Sequence, residues 1–422
     1  MLMPMSGTFH QRLIPQLREI ALEFGTPFHI YDETGIRETC RQFRSVAKAI
    51  PFKQYFAVKA LPNPYILAIL QEEGMGFDCA SVPEIELALL AGARGHDIFF
   101  TSNNTRPDEF EAAVRAGAVV NLDDICFLDT LRPFPERVCF RMAAGALDQK
   151  CTFMGAAENS KFGVPHSELV QAFRRAKDLG AKRFGLHAML CSNQRSAERV
   201  LDVAELVITH ALHVAESADV ALDFVNIGGG IGIPYRPDEE AFNFPFFSDG
   251  LAKLHGKHFA DTTQLYTECG RYVTGPHGVL VTAVNTVMHK FRTFIGVDAG
   301  MSALMRPALY PDAYHHITAP FVERPPVTAD IVGSLCENND KFATGRLLPE
   351  PQRGDLIVIH DTGAHGAAMG FNYNGRLRPK ELLLQQNGTV KLIREAETTR
   401  HYLSTIPDFD RFSASLAEEK NY

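Results

Sequence analysis

The run Tyr55-Phe56-Ala57-Val58-Lys59 ends its apolar stretch in a lysine, and Ala60-Leu61-Pro62-Asn63 turns the chain at once. An ammonium at the end of a buried strand is costly, so burial favours the neutral amine and makes Lys59 a nucleophile able to condense with an aldehyde. By itself such a lysine reads as a solvated strand cap. Two other stretches change that reading. Ile227-Gly228-Gly229-Gly230-Ile231-Gly232 follows the strand-like ALDFVNI, and glycines let backbone N–H groups crowd toward an anion, as a phosphate cradle requires. Glu268-Cys269-Gly270-Arg271 places an acid and a base at another strand end. A carboxylate there, facing a heterocyclic nitrogen, would hold that nitrogen protonated through a charge-assisted hydrogen bond.

An amine, a phosphate cradle and a nitrogen-protonating acid together specify pyridoxal phosphate: aldehyde to Lys59, phosphate to Gly228, Gly229 and Gly230, pyridine nitrogen to Glu268. Bringing them together requires elements that end on one face. From QYFAVKA onward, strand-like and helix-like stretches alternate through GFDCAS, DIFFTS, AVVNLD, RVCFRMA, KRFGLHAML, ALDFVNI and QLYTECGR. About eight β-α repeats with short connections predict a parallel sheet covered by helices, closing most simply as a (β/α)8 barrel. An open doubly wound sheet is the competitor. The single glycine-rich turn comes late in the series, which weighs against it. In a barrel, sites form at the carboxyl ends of the strands, where Lys59, Asp78, Arg141, His187, Ser192, the glycine loop and Glu268 all fall.

Three segments are expected. Residues 1–35 form an N-terminal segment packing with the second domain, 36–280 the cofactor-binding barrel, and 281–422 a β-rich domain contributing to the site. The formal charge of -8 argues against a nucleic-acid binder, which needs a concentrated basic face. No apolar run approaches membrane-spanning length. Eight scattered cysteines (40, 79, 126, 139, 151, 191, 269, 336) without a C-x-x-C pair, and an N-terminus without a basic leader, predict a reduced, cytoplasmic protein. No histidine and carboxylate set at ligand spacing, His360 and His365 included, supports a metal centre. His315-His316 reads as a surface pair.

The residues also carry a family resemblance. Tyr55-Phe56-Ala57-Val58-Lys59, Gly76-Phe77-Asp78-Cys79-Ala80-Ser81, Gly228-Gly229-Gly230 and Glu268-Cys269-Gly270-Arg271 stand in this order in the barrel half. Val297-Asp298-Ala299-Gly300-Met301, Arg306-Pro307-Ala308-Leu309-Tyr310, Cys336-Glu337-Asn338-Asn339-Asp340 and Phe371-Asn372-Tyr373-Asn374 follow. The chain thus resembles the fold type III pyridoxal-phosphate decarboxylases over nearly its whole length, and among them most closely the diaminopimelate decarboxylases.

That resemblance implies a barrel paired with a β-domain and a homodimer with shared active sites. Lys59 would hold the cofactor, and Ser192 with Gly228–Gly230 its phosphate. Glu268 would meet the pyridine nitrogen, with Asp78, Arg141, His187, Gly270, Arg271 and Tyr373 around the cofactor. Cys336 would enter a partner subunit's site and return a proton after CO2 leaves. Arg271, Arg306 and Tyr310 would grip the far carboxylate of diaminopimelate, with Glu337 on its far amine and Tyr373 nearby. The implied reaction is decarboxylation of meso-2,6-diaminopimelate at its D-configured centre to L-lysine. The alternatives are another amino acid, such as D-ornithine, D-lysine or a carboxylated siderophore or polyamine precursor, and a non-catalytic regulatory relative.

Three departures stand out. Met189-Leu190-Cys191-Ser192 replaces a His-x-Gly-Ser run whose histidine stacks on the cofactor, leaving Met189 or another group for that face. Cys269 replaces a usual proline, and His365 a common tyrosine.

Overall fold

The computed structural model describes residues 6–143, 160–259 and 262–407, so Cys151 lies outside the described residues. Eight parallel strands close into a barrel in chain order. With β1 (Phe28–Asp32) reserved for a second sheet, these are β2 (Phe52–Ala57), β3 (Gly76–Cys79), β4 (Ile98–Thr101), β5 (Val119–Leu122), β6 (Arg137–Arg141), β7 (Arg183–His187), β8 (Leu222–Asn226) and β9 (Gln264–Thr267). Because side chains alternate along a strand, each contributes to two cores. Phe56, Phe77, Phe100, Val120, Phe140, Leu186 and Val225 pack outward against the helices. Tyr55, Phe99, Val119, Cys139, Phe224 and Tyr266 pack on one another inside the barrel. Gly185 on β7 makes room for that plug, since a Cβ there would sit 2.1 Å from the Phe224 ring. The same alternation sends Asp78, Thr101, Arg141, His187, Asn226 and Glu268 inward, above the aromatic layer.

Local signals fix the connections. Asn63 caps the helix Pro64–Glu72 by accepting from the Tyr65 N–H at 3.0 Å, which ends the Lys59 turn abruptly. Ser196 caps the long helix Ala197–Ala218, whose apolar stripe from Val200 to Ala218 is buried against the barrel. No helix among the described residues is long and apolar enough to cross a membrane.

The remaining strands are β10 (Gly278–His289), β11 (Thr293–Val297), β12 (Ile317–Thr318), β13 (Pro326–Val332), β14 (Lys341–Pro349), β15 (Leu356–Ile359), β16 (Lys380–Leu384) and β17 (Val390–Arg394). They form a mixed sheet in the order β14-β13-β11-β10-β1-β16-β17, with β15 pairing both β10 and β12. β1, buried throughout, lies between β10 (antiparallel, Phe28 opposite Val281) and β16 (parallel, Phe28 opposite Lys380). The N-terminal helices set Phe9, Leu13, Leu17 and Ile20 into the same core as Phe28, Val279 and Leu382. Loops after β11 and β15 reach from this sheet over the barrel mouth. One tie is direct: the His365 N–H donates to the Ala60 carbonyl at 2.8 Å, beside Lys59.

Candidate active site

A cavity of about 430 Å³ opens between the barrel mouth and these loops. Its floor carries Lys59, Asp78, His187 and Glu268. Lys59 sits in the short turn Val58–Ala60 beyond β2 and is an exposed residue with its side chain in the cavity. The expectation that burial prepares this amine is therefore corrected: the strand ends two residues early, at Ala57, and delivers the lysine into open space. Glu268 is the group that is buried. Its Oε2 lies 3.1 Å from His187 Nε2 and its Oε1 accepts from Asn226 Nδ2 at 2.7 Å. Burial alone would raise its pKa; the neighbouring His187, Lys59 and Asn226 outweigh that and keep it below the usual carboxylate range. The sequence pairs Glu268 with Arg271 by proximity, but the fold gives it His187. Asp78 responds oppositely: burial, then the Glu268 charge, push its pKa up to about 8, so at neutral pH it holds a proton.

The second wall carries Met189, Ser192, Asn193, Gly230 and Arg141. Gly228 and Gly230 take the left-handed φ values of +72° and +97°. A Cβ at Gly230 would stand 2.4 Å from the Cys191 carbonyl, so this close approach of loop to loop is open only to glycine. The predicted cradle is narrower than the triplet. The Gly228 N–H donates to Asn226 Oδ1 at 2.9 Å and the Gly229 N–H to Met189 Sδ at 3.2 Å, while Gly230 lines the cavity. Arg141 stacks on Phe162 at 4.3 Å and pairs with Asp123 at 3.3 Å.

The third wall comes largely from the loops of the second sheet: Arg306, Tyr310, His365 and Met369, with Arg271 and Gly270 from beyond β9. Arg271 hydrogen-bonds the Tyr235 hydroxyl, and Arg306 lies 4.0 Å over the Tyr235 ring. Arg306 donates to the Tyr314 carbonyl at 3.2 Å and forms no ion pair among the described residues. Asp361 is fully buried with neither carboxylate oxygen hydrogen-bonded among the described residues; burial pushes its pKa well up, and the Arg306 charge works against that rise. His315 is not the surface residue the sequence suggests. It is fully buried, its Nδ1 2.8 Å from the His360 carbonyl and its Nε2 3.3 Å from Arg306. Together these contacts hold the guanidinium in place.

Twelve of the anticipated site residues, from Lys59 to Tyr310, thus line one cavity. Cys336, Glu337 and Tyr373 do not. They lie together elsewhere on the second domain, where the Cys336 N–H donates to Asn374 Oδ1 at 2.7 Å; Cys336 is exposed and Tyr373 is 48% exposed. Thr101, Asn103, Phe162, Asn193, His365 and Met369 also line the cavity. Among the described residues no group of three or more His, Cys, Asp or Glu side chains is arranged to hold a metal ion.

The residues present fit a phosphorylated heterocyclic aldehyde. Lys59 offers the amine, Gly230 and Ser192 the anion pocket, and Glu268 an ionised carboxylate above the plug. Among the described residues, Asp78 Oδ1 and His187 Nδ1 are buried without hydrogen-bond partners in the same floor. The fold and site therefore define a pyridoxal-phosphate-dependent enzyme built on a (β/α)8 barrel. The chain belongs to the pyridoxal-dependent decarboxylases: the family model described as "Pyridoxal-dependent decarboxylase, pyridoxal binding domain" matches residues 34–275. Protein TabA of Pseudomonas amygdali pv. tabaci is 50% identical over 398 residues, 94% of each chain. Diaminopimelate decarboxylase of Methanothermobacter thermautotrophicus is 36% identical over 393 residues, 90% of this chain and 91% of that one. Among solved structures, diaminopimelate decarboxylase from M. jannaschii in complex with L-lysine superimposes with a TM-score of 0.85 at 27% identity, covering 92% of this chain and 93% of that one. This protein is a carboxy-lyase of the diaminopimelate decarboxylase type, and pyridoxal phosphate is its cofactor.

Proposed function

We propose that the substrate is meso-2,6-diaminopimelate, decarboxylated at its D-configured centre to L-lysine and CO2. The observation that carries this reading is Arg306, a partly buried guanidinium that faces the cavity beside Arg271, neither of them making an ion pair among the described residues. A cation in that position is costly unless an anion meets it, and the far carboxylate of diaminopimelate supplies one. The relatives named diaminopimelate decarboxylase and the neighbour holding L-lysine support the same choice.

When bound, pyridoxal phosphate supplies the aldehyde that takes the substrate amine and the ring that accepts the electron pair left as CO2 departs. The chain supplies everything else. Lys59 would hold the cofactor through its amine. Glu268, braced by His187 and Asn226, keeps a proton on the ring nitrogen. Ser192, Asn193 and the Gly230 N–H take the phosphate, with Met189 beside them. Arg271, Arg306 and Tyr310 fix the far carboxylate and so set which end of the substrate reacts. Cys336 returns a proton to the carbon that lost CO2. Its exposure, outside this chain's own cavity, suits delivery from a second copy, with Glu337 and Tyr373 on the same surface; the working form is then a homodimer with shared sites. A reducing cytoplasm suits cysteines that form no disulfide among the described residues.

A second reading, a decarboxylase of another amino acid, is favoured by the higher identity to TabA than to the named diaminopimelate decarboxylases. Release of CO2 and chiral analysis of products from meso-diaminopimelate, D-ornithine and D-lysine separate the two. L-lysine formed from diaminopimelate alone is expected. Turnover only of D-ornithine or D-lysine would overturn the reading of Arg306 and Tyr310.

A further inference from the structure

Tyr235 stands behind the outer wall, between the two arginines that face the cavity. It follows the glycine loop directly, in Gly232-Ile233-Pro234-Tyr235, is 4% exposed and lines no part of the cavity itself. Its segment is pinned on both sides. The Ile233 N–H donates to Asn193 Oδ1 at 3.0 Å, and the N–H groups of Tyr235 and Arg236 both donate to Glu239 Oε2, at 2.8 and 3.1 Å. That carboxylate also pairs with Arg195 at 3.2 Å. The ring is held as well: His315 meets it edge-on, the centroids 5.1 Å apart and the planes at 76°, and His315 Nδ1 lies 2.8 Å from the His360 carbonyl.

The two guanidiniums meet different parts of this one ring. Arg306 lies 4.0 Å over its face, whereas Arg271, its guanidinium carbon 5.7 Å from the ring centre, reaches the edge and donates to the hydroxyl. An aromatic face attracts a cation and a phenolic oxygen accepts from one, so a single neutral side chain satisfies both arginines and neutralises neither. A carboxylate in the same place would hold them too, but it would consume the charge. The distinction matters because the pair is strained electrostatically: burial, and Arg271 among the neighbouring charges, pull the pKa of Arg306 below its usual value. Two long side chains that repel each other would turn apart if left free. A clamped ring between them fixes both directions and leaves both charges for a ligand.

We propose that Tyr235 is a positioning residue for substrate choice, its hydroxyl aiming Arg271 and its ring face aiming Arg306 so that the two cations converge on one carboxylate. The role rests on the distal-carboxylate reading and deepens it, because it accounts for two like charges held side by side with a neutral group between them.

Binding of L-lysine and of cadaverine to the cofactor-loaded enzyme, followed through the cofactor's visible absorbance, tests this. Both carry two amines and cadaverine lacks only the carboxylate, so the ratio of their dissociation constants reads the carboxylate contact. Wild-type protein should prefer L-lysine by about tenfold to a hundredfold, the range for one hydrogen bond to a charged group. Tyr235→Phe removes the hydroxyl and should cut that preference about threefold. Tyr235→Leu also removes the face and should cut it about threefold further, while cadaverine binding stays within about twofold in both variants. In an Arg306→Ala background the Phe and Leu variants should become equal, because the face that separates them no longer carries a guanidinium. A Leu deficit that persists there would overturn the proposal, as would equal weakening of both ligands, which marks simple packing. Should Tyr235→Leu lose the cofactor band, Tyr235→Phe decides alone, and full wild-type preference in it overturns the proposal. If Arg306→Ala loses the preference while the Tyr235 variants keep it, only the role of Tyr235 fails. If wild-type protein binds both ligands equally, the distal-carboxylate reading fails and takes Tyr235 with it.

Discussion

The floor of the cavity and its outer wall are built on opposite electrostatic plans. On the floor and the second wall beside it, buried groups are satisfied within the protein: Glu268 by hydrogen bonds with His187 and Asn226, Arg141 by Asp123, and Asp78 by taking up a proton beside Glu268. On the outer wall, Arg271 and Arg306 make no ion pair among the described residues, and the buried Asp361 makes no hydrogen bond to either of them. The difference teaches which half is finished before any ligand arrives. The floor is preorganised for one constant group, the cofactor. The wall is completed only by a ligand carrying its own negative charge, so it is the wall that chooses the substrate.

Substitutions on the floor should therefore damage every substrate equally. Lys59→Ala is the severest: turnover should fall to background for all amines and the cofactor's visible band should be lost, and wild-type-like rates would remove Lys59 from the chemistry. Glu268→Gln comes next. It keeps the shape and removes the charge that holds the ring proton, so kcat should fall about 100- to 1,000-fold with little change in the ranking of substrates. A change in ranking instead would show that floor and wall are not separate.

Smaller effects probe the construction of the second wall and the floor. Gly230→Ala puts a Cβ against the Cys191 carbonyl at a left-handed φ, which should cost about 1–3 kcal/mol of stability in urea unfolding and weaken cofactor retention. Unchanged values for both would mean that the loop yields. Asp78 gives the subtlest signal. Its folded-state pKa of about 8 lies above the unfolded value of about 3.9, so its stabilising contribution is full below about pH 4 and is lost as pH rises through about 8. In cofactor-free protein, wild type should lose stability relative to Asp78→Asn across that window. A difference that stays constant with pH would contradict a protonated Asp78.

How far the sequence could see depended on how local each cause was. The barrel strands were legible because apolar runs of strand length recur with helices between them, and strand ends such as Asp78, His187 and Glu268 followed from the barrel rule. Thr101 and Asn226 were equally within reach: they sit at strand ends on the same inward parity as Phe99 and Phe224, a signal that was present and unused. Lys59 was found for a reason the structure replaces, since the chain leaves the strand at Ala57 and presents an exposed amine. The Glu268–His187 pair spans 81 residues and the His315–His360 contact 45, and no local pattern encodes a partner at that distance. For the same reason His365 stood out as a departure in Ala364-His365-Gly366, while its place over the cavity came only with the fold.

The contrast between floor and wall is tested most directly by kcat/KM for meso-diaminopimelate and for D-lysine in wild type and Arg306→Ala. If the unpaired guanidinium selects the distal carboxylate, the variant should lose about tenfold to a hundredfold on diaminopimelate and almost nothing on D-lysine, with its cofactor band intact. Equal losses on both substrates, or none on either, would contradict the division and return the choice of substrate to groups other than Arg306.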